Sequence, residues 1–134
     1  MNFTYLRKKN IIFFSLLISF IFCLPLFSMS TAPRGDDLVF HLNRIRSLAC
    51  SINDGNFYPY IFRQQNFEFG YALPLFYSNL FLYPSALLNL AGISVIDSYK
   101  VLIYFCTFFS CLSVAYFISN FTKKQSTIFI GISF

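Results

Sequence analysis

The chain has 134 residues, of which 57% are hydrophobic and only 11% charged, against about a quarter charged in ordinary soluble domains. A soluble domain of this length could not hide so much apolar surface. The net charge of +5 rests on few, scattered cations, which argues against a nucleic-acid-binding surface and for an integral membrane protein.

Residues 1–10 are a basic start. Arg7, Lys8 and Lys9 stand before the first apolar run and read as a cytoplasmic flank under the positive-inside rule. Residues 11–29 are read as the first transmembrane helix. At 1.5 Å per residue they reach roughly 28 Å, close to the hydrocarbon thickness of a bilayer. Pro25 near the outer end is tolerated in a membrane helix. The competing reading is a cleaved signal peptide, with Ser28 and Ser30 as the small residues before the cut; the run is longer than the usual core of about 7–15 residues.

Residues 30–97 form an extracytoplasmic loop that carries all five acids: Asp36, Asp37, Asp54, Glu68 and Asp97. Thr31-Ala-Pro-Arg-Gly reads as a turn. An amphipathic helix is expected over 36–52, capped by Gly35 or Asp36, with its acids in the first turn where the helix dipole favours them. Asp37, His41 and Arg44 fall at i, i+4 and i+7 on one stripe. Leu38, Leu42, Ile45, Ala49 and Ile52 form an adjacent apolar stripe. Such a helix lies on a membrane or on other helices and presents an acid, an imidazole and a guanidinium to water. Asn53-Asp54-Gly55-Asn56 then reverses the chain. Phe57 to Phe69 is aromatic and polar without a clear period, which suits the membrane–water interface.

Residues 71–92 are long enough to span, but Pro74 and Pro84 interrupt them and Ser78, Asn79, Ser85 and Asn89 add polarity. They read as a kinked span or as an interfacial or re-entrant helix. Topology favours the second: if 71–92 does not span, Lys123 and Lys124 return to the cytoplasm beside Arg7, Lys8 and Lys9. The second transmembrane helix is placed at 98–120, with a clean apolar run over 101–119, and a cytoplasmic loop at 121–125. Residues 126–134 open a third apolar run. Nine residues reach roughly 13 Å, under half a bilayer. This is the pattern expected of the N-terminal fragment of a longer polytopic protein.

Of the four cysteines, Cys23, Cys106 and Cys111 lie in apolar runs and Cys50 in the loop, without metal-binding or redox spacing. The candidate chemistry is therefore in 35–46. Asp37 has the character of a general base facing a membrane-bounded cavity. Arg44 or Arg46 would hold the phosphate of an anionic substrate, because guanidinium matches phosphate oxygens. His41 would orient the acid or bind phosphate, and Asp36 is a further substrate-binding candidate. The plainer alternative is a solvated helix face with i,i+4 pairing. Asp36 and Asp37 could offer oxygens to Mg²⁺ or Mn²⁺, but adjacent residues on a helix diverge and the chain has one His. No cofactor is specified, and a divalent metal is left open.

The order of these features resembles a bacterial family. A basic start and one span lead to Gly35-x-Asp37, then to Phe40-His41-Leu42-x-Arg44-Ile45. Gly55-x-Phe57-Tyr58-Pro59 follows, then Phe69-Gly70-Tyr71-Ala72-x-Pro74-Leu75-Phe76-Tyr77, then a Leu-rich helix after Pro84 that ends in Gly92. This is similar to the YfhO-like polytopic membrane proteins, including those labelled 6-pyruvoyl-tetrahydropterin synthase-related, and to the GT-C glycosyltransferases. The label does not carry that synthase's chemistry, which needs several zinc-binding histidines. The resemblance implies an all-α polytopic protein of the bacterial plasma membrane with a cytoplasmic N-terminus. It would be the N-terminal part of a GT-C-like helical bundle whose large first extracytoplasmic loop contains amphipathic helices. It implies that Asp37 is the functional acid. The partners would be membrane lipid and a polyprenyl-phosphate-linked sugar, whose sugar passes to a cell-envelope acceptor. The alternatives are a non-catalytic membrane subunit or a truncated, inactive product.

Overall fold

The computed structural model describes residues 3–31 and 35–133. Most of the turn expected at Thr31–Gly35 falls on 32–34 and lies outside them, as do residues 1, 2 and 134. Five α-helices follow in chain order: α1 (Phe3–Ser28), α2 (Leu38–Asn53), α3 (Tyr83–Leu90), α4 (Val95–Ser119) and α5 (Gln125–Ser133). Among the described residues there is no strand, only an isolated antiparallel bridge between Phe62 and Tyr71. The chain divides into two units. One holds Met1–Ser28 with Ile103–Phe134, and the other holds Met29–Leu102.

In the first unit the sequence past Lys9 makes a helix from a run of Leu, Ile, Phe and Ser without charge, and α4 past Lys100 does the same. Two helices are long and apolar enough to cross a membrane: Lys9–Ser28 within α1, and α4. Only 17% and 11% of their most apolar windows are buried inside the protein, so neither behaves as the core helix of a soluble domain. Phe13, Phe22, Phe109 and Phe117 point outward. The buried cluster joins Ile11, Phe14 and Ile18 of α1 to Cys111 and Ala115 of α4 and to Ile128 and Ile132 of α5. Phe14 stacks on Phe129 with ring centroids 4.3 Å apart, a contact worth about 1 kcal/mol beyond its buried area. Along α1, Ser15, Ser19 and Cys23 recur every fourth residue and are buried, so small side chains let the helices approach closely. Ser19 donates its hydroxyl to the Ser15 carbonyl at 2.7 Å, satisfying itself within the helix.

The second unit is built on α2. Its apolar stripe, Ile45, Leu48, Ala49 and Ile52, is buried against Phe62, Leu73, Leu82 and Ala86. Each large side chain taken fully out of water stabilises the unit by about 1.5–3 kcal/mol. The helix ends at Gly55, whose φ of +81° only glycine adopts freely; Gly55 N–H donates to the Ile52 carbonyl at 2.9 Å.

The single interfacial or re-entrant helix expected over 71–92 is not formed. In its place are two 3₁₀ turns, Leu73–Leu75 and Leu80–Leu82, and then α3. The reason is covalent. Pro74 and Pro84 lack the N–H that a continuous helix needs, and each sits in the first turn of a new element instead. With eight residues, α3 is about 12 Å long, far short of a bilayer. Two polar contacts lock this segment to its surroundings, and a third ties the start of α4 to the chain after α1. The Tyr83 hydroxyl donates to the Phe57 carbonyl. Ser85 Oγ donates to the Ser98 carbonyl at 3.0 Å. The buried Lys100 ammonium donates to the Met29 carbonyl at 2.6 Å and lies 3.6 Å from Asp97 Oδ1.

Candidate functional site

The residues that carry the candidate chemistry begin in the turn before α2. The Leu38 N–H donates to the Gly35 carbonyl at 3.3 Å, and the His41 N–H donates to the Asp37 carbonyl at 3.0 Å. Asp37 is therefore the residue from which α2 starts, and its backbone is already committed to the helix. Its side chain does not cap the helix, so the carboxylate is left available at an exposed position. Asp36 is exposed beside it, one residue further out. His41 is half-buried one turn on, its ring edge-on to Phe40 with centroids 5.3 Å apart. Asp36, Asp37 and His41 are thus gathered at one end of one helix.

Arg44 sits one turn below His41 but is not presented to water, contrary to the expectation from the stripe. It is 4% exposed. Its Nη2 donates to the Ser78 carbonyl at 2.7 Å, to Asn79 Oδ1 at 3.0 Å and to the Tyr77 carbonyl at 3.4 Å. Its guanidinium carbon lies 5.5 Å from the Phe40 ring centroid and 5.4 Å from that of Tyr77, within cation–π range of both. The two rings are themselves edge-to-face at 5.5 Å. Burial lowers the Arg44 pKa from its ordinary value, and Tyr77 opposes that shift; a guanidinium nevertheless stays charged at neutral pH. The cation is a clamp between α2 and the 77–79 segment. Burial and these contacts give Arg44 a structural role in place of the expected water-facing phosphate ligand. Nη2 alone is engaged, and Nε is buried without a partner among the described residues.

Arg46 also departs from the expectation. It is exposed, but it lies nine residues beyond Asp37, which at about 100° per residue is half a turn round the helix and roughly 13 Å along it. It lines a separate cleft with Asn43 and Ser47. Among the described residues no group of three or more His, Cys, Asp or Glu could hold a metal ion.

Sequence reasoning missed the anchoring of Arg44. The available signal was Pro74 and Pro84 flanking Ser78 and Asn79: a broken helix leaves carbonyls that a neighbouring donor must meet. Comparison with known protein families, with curated proteins and with solved structures finds no match.

Proposed function

We propose that this chain is a multi-pass protein of the bacterial plasma membrane, similar to the GT-C glycosyltransferases and the YfhO-like proteins. It would transfer a sugar from a polyprenyl-phosphate donor to an extracytoplasmic acceptor. The observation that carries the reading is the free, exposed carboxylate of Asp37, on a helical unit entered and left through the two helices of membrane-crossing length. On this reading 30–97 lies outside the cell, with Arg7, Lys8, Lys9, Lys123 and Lys124 inside.

Asp37 acts as general base. It takes the proton from an acceptor hydroxyl as that oxygen bonds to the anomeric carbon, and the carbon–oxygen bond to the lipid phosphate breaks. Asp36 and His41 position the acceptor. Arg44 serves this site indirectly, by fixing the segment that packs against α2. The cation that holds the donor phosphate is not Arg44.

Photo-crosslinking tests the donor site. With benzoylphenylalanine in place of Asp36, the protein in vesicles should capture a radiolabelled polyprenyl-phosphate-linked sugar. The same group in place of Lys124, on the cytoplasmic side in this reading, should capture little. Equal capture at both positions, or none at position 36, contradicts the proposal.

A second reading is favoured by a different observation. Phe67 and Phe69 are 93% and 88% exposed, and Tyr58, Phe76 and Phe81 are also outward. Such a surface suits a non-catalytic subunit that rests on lipid or on another protein. Unimpaired function after Asp37→Asn would select it.

A further inference from the structure

A polar cleft of about 400 Å³ lies between α2 and the loop that follows Phe62. One wall is Asn43, Arg46 and Ser47 of α2; the other is Gln64, Gln65 and Asn66. It is on the far side of α2 from Asp37, so it is independent of the reading above.

The cleft is built rather than incidental. The loop is closed by two hydrogen bonds, Phe62 N–H to the Tyr71 carbonyl at 2.9 Å and Tyr71 N–H to the Phe62 carbonyl at 3.1 Å. Gln65 Nε2 donates to Ser47 Oγ at 2.9 Å, tying the loop wall to the helix wall. Between these anchors Asn66, Phe67 and Glu68 have φ of 56°, 55° and 69° in succession. Three consecutive non-glycine residues in the left-handed region are strained, and such strain collects at binding sites, where it presets geometry. The arrangement holds the amide walls open before any ligand arrives.

The chemistry of the walls selects a ligand. The Arg46 guanidinium makes no hydrogen bond or ion pair, and the side chains of Asn43, Gln64 and Asn66 have no hydrogen-bond partner, so their donors and acceptors face the cleft unused. A guanidinium matches phosphate oxygens, and amides, which both donate and accept, match adjacent hydroxyls. Gln64 also borders a smaller cleft of about 160 Å³ with Asp54 and Arg63. That neighbour offers both signs of charge, which suits further hydroxyls rather than a second phosphate. We infer that this cleft binds a phosphorylated, polyhydroxylated ligand, a phosphosugar or an inositol-type lipid headgroup, with Arg46 on the phosphate and the amides on the hydroxyls.

Cys50 lines the same cleft and reports on it. The full chain in phosphatidylcholine nanodiscs is alkylated, and Cys50 is followed by mass spectrometry, with a cysteine-containing soluble peptide in the same tube as reference. Saturable slowing at Cys50 alone by glucose 1-phosphate identifies a free phosphosugar. Slowing by phosphatidylinositol added to the disc identifies a headgroup. In either case Arg46→Gln should weaken protection about tenfold, as expected for loss of one charge-assisted contact, while Lys124→Gln leaves it unchanged. Protection by neither probe, protection that survives Arg46→Gln, or equal protection by inorganic phosphate alone overturns the inference.

Discussion

Arg44 Nη2 lies 2.7 Å from the Ser78 carbonyl oxygen, and this contact joins the helix that starts the candidate site to the broken segment packed beside it. The same nitrogen reaches Asn79 Oδ1 and the Tyr77 carbonyl. Removing the side chain strands three acceptors and opens the space between Phe40 and Tyr77. Arg44→Ala should therefore lower stability by about 2–3 kcal/mol. Arg44→Lys should recover only part of this, since an ammonium lacks the planar fork that lies between two rings. Thermal unfolding in detergent, with protease resistance of the 29–102 unit as a second reading, measures both. An unchanged midpoint for Arg44→Ala would show that the clamp is unimportant.

The course of α2 was legible in the sequence, because apolar residues recur at helical spacing from Leu38 to Ile52. Its start was not, since the helix begins from Asp37 rather than Gly35 or Asp36 and has no acid in its first turn. Nor was the fate of Arg44. Periodicity places it next to Ile45 and Leu48 but says nothing about which segment covers that face. The cover comes from residues 77–79, more than thirty positions away, and their need for a donor arises only once Pro74 and Pro84 have broken the helix. The prolines were visible; their consequence for a distant arginine depended on packing. The cleft at Arg46 was hidden for a related reason. Asn66 is a residue that tolerates the left-handed region, but Phe67 and Glu68 carry no such mark.

Leu48 is fully buried at the centre of the second unit. Leu48→Ala removes its transfer energy and leaves a cavity, so unfolding should be easier by about 3 kcal/mol. The exposed Val39 on the same helix serves as a control, since Val39→Ala should change stability by less than about 0.5 kcal/mol. Similar losses at the two positions would mean that the buried face is misassigned.

Alkaline pH should weaken the second unit through Tyr83. Burial raises its phenol pKa above the ordinary value, and the charge of ionised Tyr58 adds to that effect. The folded state thus favours the neutral phenol that donates to Phe57. Its contribution is complete below the unfolded pKa of about 10 and is lost as pH rises through the higher folded value. Tyr83→Phe should be less stable than the wild type near neutrality by about 1 kcal/mol. The gap between them should close as pH rises past about 10. A gap that stays constant over that range would show that Tyr83 does not ionise against the fold.

Gly70 turns the loop back beneath the Arg46 cleft with φ of +84°, and a Cβ there would lie 2.9 Å from Ile61 Cγ2. Gly70→Ala combines backbone strain with that close approach and should cost about 1–2 kcal/mol. Hydrogen exchange at the Phe62 and Tyr71 amides, which close the loop, should accelerate with it. Unchanged exchange would mean that the turn does not depend on glycine.

On the proposed function, Asp37 removes a proton during sugar transfer. The direct measurement is transfer of a radiolabelled sugar from a polyprenyl-phosphate donor by membranes containing the wild type or Asp37→Asn at equal abundance. The amide keeps the shape and removes the base, so transfer should fall about a hundredfold or more while membrane insertion is unchanged. Transfer at the wild-type rate by Asp37→Asn would contradict the account.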